Sequence, residues 1–127
     1  MSKEFDMLND IFQRQRSLQE RISKFDKTLI YPPENIDLSS KEGQYFLREM
    51  SFRMLEELCE TFRHLKNKTH SQKENRTVNK EELYEELADV FTYMINICLF
   101  CGLDSEKLYE QYISKNLKNN KRIDEKY

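Results

Sequence analysis

The sequence predicts an all-α protein, a four-helix bundle core assembled as an oligomer. Three observations point there. Only 2 Gly and 2 Pro punctuate 127 residues, and a sheet protein rich in turns needs more breakers than that. Apolar residues recur at helical spacing through four long stretches that are otherwise densely charged. One of those stretches is apolar on more than one face, which a small monomer cannot cover by itself.

Each helix can be justified in turn. The first is expected over residues 3–24, with Phe5, Leu8, Ile11 or Phe12, Leu18 and Ile22 along one stripe. Pro32-Pro33 and Ser39-Ser40 mark the loop after it. The second is expected over residues 42–66, with Phe46, Met50, Met54, Leu58, Phe62 and Leu65 on one face. A polar segment from Asn67 to Val78 reads as a loop, and Asn79 is placed to cap the third helix, whose first turn carries Glu81 and Glu82. That helix should run to Phe100 and stop at Gly102. Asp104 caps the fourth, expected to end near Asn119 or Asn120. Helices this amphipathic do not stand alone, so they should pack as a bundle. No repeat or internal boundary interrupts residues 1–127, which read as a single domain.

Composition narrows the function. No apolar run approaches a membrane span, and the opening MSKEFDMLND is polar and acidic, unlike a signal peptide. A cytoplasmic protein with no membrane partner is expected. The net charge of -2 argues against nucleic acid as a partner. The charge is uneven, however. Arg63 to Lys80 carries six Lys/Arg against Glu74 as the one acid, and Ile113 to Arg122 carries four Lys/Arg and no acid. Such runs are ordinarily solvated surface, or else a cationic rim for an anionic ligand. Cys59, Cys98 and Cys101 fall in or beside apolar helical patterns and read as reduced core thiols.

The chemistry is carried by two acidic clusters. Glu56-Glu57-Leu58-Cys59-Glu60 has the pattern EExxE, and Glu86-Leu87-Ala88-Asp89 the pattern ExxD. Residues three apart share a helix face, so two neighbouring helices could gather Glu57, Glu60, Glu86 and Asp89 around one point. Glu86 is spaced with Leu83, Val90, Tyr93 and Ile97, an inward stripe, and Glu57 sits beside Met54, Leu58 and Thr61. Carboxylates turned inward are costly unless paired. Bases are scarce in both motifs, so a hard divalent cation, Mg2+ or in its place Mn2+, is the natural partner. The bland alternative is that these acids are solvated helix residues. A di-iron bundle is disfavoured, because neither His64 nor His70 follows a Glu by three positions. His64 reads instead as a helix C-terminal residue facing the dipole. No P-loop, glycine-rich cradle or catalytic triad is present.

On successive helices, Glu56-Glu57-x-x-Glu60 and Glu86-x-x-Asp89 resemble the all-α NTP pyrophosphatase superfamily, which includes the MazG-like enzymes and the dimeric dUTPases. Arg53 to Leu58, Glu85 to Val90 and Tyr112 to Asn119 extend the likeness, and Ile11 to Gln15 resembles the first helix of the dUTPase-like branch. The resemblance implies a MazG-like bundle and a Mg-dependent hydrolase acting on an acid anhydride. It would cleave a (deoxy)nucleoside triphosphate to the monophosphate and pyrophosphate, while the apolar excess of the third helix points to a homodimer or homotetramer. It implies that Glu57, Glu60, Glu86 and Asp89 ligate the metal, with Glu57 or Glu60 as proton acceptor. Lys115, Asn116, Asn119 and Arg122 would hold the phosphates, and Gln15 and Gln19 would face the base. The chain lacks Trp, and Phe62 to Lys66 follows the first acidic motif where dUTPase-like members often carry tryptophans. Both dUTP and a purine dNTP (dGTP or dATP) therefore stand as substrates. The contrasting reading is a non-catalytic helical interaction or adaptor protein with decorative acids.

Overall fold

A computed structural model of the chain describes residues 4–25, 35–70, 72 and 76–125. Among these residues it is all-α: α1 (Met7–Phe25), α2 (Lys41–Phe62), α3 (Lys80–Phe100) and α4 (Ser105–Asp124). Lys3 and the Pro32-Pro33 pair lie outside the described residues. The chain forms two compact units. One comprises Met1–Ile36 with Cys98–Tyr127, and the other Asp37–Ile97.

In the first unit, α1 starts at Met7 because Asp6 caps it. The Asp6 side chain accepts from the Asn9 amide at 3.0 Å, and its carbonyl accepts from the Asp10 amide at 3.0 Å. Phe5, expected on the stripe, therefore precedes the helix and is exposed. Phe12, not Ile11, is the anchor at 1% exposure, and Leu18 stays exposed. Among the described residues, the other buried apolar groups of this unit are Cys98, Leu99 and Phe100 from the last turn of α3. That turn ends in a Schellman motif: the Leu103 amide donates to the Cys98 carbonyl (2.9 Å) and the Gly102 amide to the Leu99 carbonyl (3.1 Å). Gly102 has φ 75 and a Cβ there would strike the Asn35 side chain, so the stop needs glycine twice over. Asp104 caps α4 by accepting from the Lys107 amide at 2.8 Å. The helix continues past Asn119 and Asn120 to Asp124, since no breaker intervenes and Lys121 and Arg122 complement the dipole of its last turn. No residue of α4 is buried.

In the second unit, Ser40 caps α2. Its hydroxyl accepts from the Gly43 amide (2.9 Å) and donates to the Asp37 carbonyl (2.8 Å). A side chain at Gly43 would collide with that same carbonyl. The helix ends at Phe62, short of residue 66. Its final carbonyls are taken by tightened turns, with the His64 amide donating to Thr61 and the Leu65 amide to Phe62. Beyond them Asn67 acts as a clamp: its amide nitrogen donates to the Arg76 carbonyl (3.1 Å) and its oxygen accepts from the Arg76 amide (2.8 Å). Phe62 and Leu65, expected on the buried face, are consequently exposed. Asn79 caps α3 as expected, accepting from the Glu82 amide at 3.3 Å.

Ile95 is fully buried. Tyr84, Leu87, Phe91 and Met94, however, run exposed along α3, and Tyr45, Phe52 and Leu55 along α2. Cys98 is a core thiol and Cys101 is half-buried, while Cys59 is exposed, contrary to expectation. It follows the half-buried Leu58, about 100° further round the helix. Burial pushes the thiols of Cys98 and Cys101 above their ordinary range, the former also through the charge of Cys101, which disfavours the reactive thiolate at both. Among the described residues, no single helix is long and apolar enough to cross a membrane.

A candidate carboxylate centre

The second unit contains both acidic motifs. On α2, Glu57 and Glu60 are one turn apart and both half-buried, while Glu56 points to solvent. The Thr61 hydroxyl donates back to the Glu57 carbonyl at 3.3 Å, within the last turn. On α3, Glu86 is half-buried along with Leu83, Val90, Tyr93 and Ile97, so the inward stripe read from spacing is present. Met54 and Leu58 flank Glu57 in the same way.

The helices bring three of the four predicted ligands together. Glu57, Glu60 and Glu86 each offer a carboxylate oxygen, and these oxygens lie within 4.8 Å of one another. Asp89 is one turn further along α3 and exposed, outside that radius. It is still near enough for its charge to act on Glu57. Burial, then the charges of Glu60, Asp89, Glu86 and Glu56, raise the Glu57 carboxyl above the usual carboxylate range. Glu86 has one further property. Its Oε2 is buried with no hydrogen-bond partner, and a buried acceptor left unsatisfied is expensive. Clustered acids, mutual repulsion and an orphaned oxygen together fit a bound divalent cation, since oxygen-only donors suit a hard ion.

His64 is the residue that sequence reasoning misplaced. It does not simply face the end of α2. Its Nε2 is 3.8 Å from Glu86 Oε1 and its Nδ1 is 4.0 Å from Glu82 Oε2. The available signal was its position four residues after Glu60, on the same helical face.

The remaining predicted residues belong to the first unit. Lys115, Asn116, Asn119 and Arg122 are exposed on α4. Asn116 accepts from the Asn120 amide through its carbonyl (2.9 Å) and its side-chain oxygen (3.1 Å). Gln15 is half-buried and Gln19 buried on α1. An open groove in this unit, lined by Asp6, Asn9, Ser105, Glu106 and Tyr109, includes none of these residues.

No match was found among curated proteins or among solved structures. A family model described as dUTPase matches residues 33–127, a span that begins after α1 and holds both acidic motifs and all of α4. With that match over most of its length, the chain belongs to the dUTPase family.

Proposed function

We propose that this protein is a metal-dependent nucleotide pyrophosphohydrolase that converts a deoxynucleoside triphosphate to its monophosphate and pyrophosphate, contributing to control of the nucleotide pool. The observation that carries this reading is the convergence of the Glu57, Glu60 and Glu86 oxygens within the family-matched span. Glu57, Glu60 and Glu86, with Asp89 beside them, would hold Mg2+, for which Mn2+ would substitute. When bound, the cation supplies neutralisation of phosphate charge and acidification of a water. The chain's own work is then positioning and proton transfer. Glu57 or Glu60 would accept the proton of that water. Water adds to the α-phosphorus, its proton passes to the carboxylate, and the bond to the bridging oxygen breaks with pyrophosphate leaving.

The phosphate roles of Lys115, Asn116, Asn119 and Arg122, and the base-facing roles of Gln15 and Gln19, are supported by the family resemblance and by the cationic, acid-free run from Ile113 to Arg122. The family favours dUTP, and the absence of Trp keeps dGTP and dATP alongside it. A panel of NTPs and dNTPs with magnesium, scored by pyrophosphate release, tests the proposal. Release from at least one dNTP, lost in Glu57→Gln and Glu86→Gln, is expected. No release from any member would return the protein to the class of helical interaction modules.

A further inference from the structure

We infer that His64 is a positioning residue for the carboxylate centre, acting through Glu86; the inference rests on the metal-site reading above. His64 follows the last residue of α2 within the tightened turn that closes that helix. Its side chain is only 18% exposed, well covered for a residue in a helix-ending turn. The ring spans one turn of α3, with Nε2 toward Glu86 and Nδ1 toward Glu82. The two acidic motifs lie on different helices, so the ligands meet only if α2 and α3 keep one axial register. A planar ring anchored at the end of α2, its two nitrogens 3.8 and 4.0 Å from carboxylate oxygens of α3, is placed to hold that register.

The two oxygens of Glu86 are in different situations. Oε1 is the one near His64, and Oε2 is buried and unpartnered. A ring nitrogen facing Oε1 from 3.8 Å would bias the rotation of the carboxylate and leave Oε2 to a cation. Groups that hold a ligating carboxylate from behind commonly alter metal affinity by about 10–100-fold when removed. The Glu82 contact is the weaker partner, since Glu82 is 64% exposed and its oxygen stands at 4.0 Å.

The test uses the whole chain and Mn2+ alone, with free Mn2+ followed by electron paramagnetic resonance, and compares three variants of His64. Glutamine places its amide nitrogen where Nε2 was, and asparagine places its own where Nδ1 was. His64→Gln should keep the Mn2+ dissociation constant within about threefold of wild type, whereas His64→Asn and His64→Ala should raise it about tenfold or more. A role confined to stability would lower Tm in all three and leave Mn2+ affinity unchanged, which overturns the inference. Equal behaviour of the Gln and Asn variants overturns it too, and that comparison stands if His64→Ala does not fold. Wild type that fails to bind Mn2+, or binds it equally after Glu57→Gln, would overturn the metal-site reading and this inference with it. Wild-type binding that is lost in Glu57→Gln but indifferent to His64 would remove this inference alone.

Discussion

Glu57 is held in a neighbourhood that disfavours its charge, and this has opposite consequences for folding and for activity. Its carboxyl titrates higher in the folded chain than in the unfolded one. In the window just above the ordinary carboxylate range the folded state therefore binds more protons, and stability falls as pH rises through it. Glu57→Gln removes the repulsion at neutral pH. The metal-free variant should melt at a higher temperature than wild type by calorimetry, while losing most pyrophosphate release. Glu60→Gln, Glu86→Gln and Asp89→Asn should likewise lose most turnover with near-normal helical circular dichroism. Two or more of the four retaining normal rates at saturating magnesium would remove the centre. Lys115→Ala should lower kcat/KM at least tenfold, because losing a charge-assisted hydrogen bond costs about 1.5–3 kcal/mol. If Lys115 served only the helix dipole, Tm would drop slightly and kinetics would hold. At this scale the sequence was most informative where spacing alone decides, as for Glu57, Glu60 and Glu86. It was silent on the orphaned Glu86 oxygen and on His64 reaching α3, since both depend on how two helices face each other.

The elements were readable because their ends carry explicit chemistry. Ser40, Asn79 and Asp104 all cap as their side chains dictate, and Gly102 stops α3 in the left-handed conformation its sequence position suggests. The errors fell at the start of α1, where Asp6 caps, at the end of α4, which no breaker stops before Asp124, and at the end of α2. The end of α2 depends on tightened turns and on Asn67 gripping Arg76 nine residues away, which no periodicity reveals. Asp104→Ala should cost about 1 kcal/mol, lowering Tm by a few degrees. Gly102→Ala should cost more, about 1–2 kcal/mol from the backbone alone, with the collision at Asn35 in addition. Thermal melts of the two variants check the order; equal losses would mean the Schellman stop is not strained by a side chain.

For the molecule as a whole, the exposed stripes are the feature that matters. Tyr84, Leu87, Phe91 and Met94 recur at helical spacing on α3 and remain exposed, and contiguous apolar faces of this kind mark association surfaces. A homodimer or homotetramer is expected at micromolar concentration by sedimentation, and Tm should rise with protein concentration. Phe91→Glu should shift the assembly toward monomer. A clean 15.5 kDa species with full activity would refute it. The sequence showed the apolar excess of this helix. It could not show which face would stay uncovered, because that depends on which neighbours the chain itself supplies. Magnesium should also stabilise the fold, by about 2.7 kcal/mol at a hundredfold excess over its dissociation constant, and calorimetry with and without chelator measures it.

The three cysteines turn out to have divided fates, and the division is useful. Cys98 is buried and Cys101 half-buried, and burial raises both thiols, whereas Cys59 faces solvent immediately before Glu60. A maleimide nitroxide or fluorophore should therefore couple selectively at Cys59. A reporter there sits beside the carboxylates without replacing any of them. Paramagnetic broadening or quenching by Mn2+ would then report occupancy in real time, in the native sequence and with no engineered thiol.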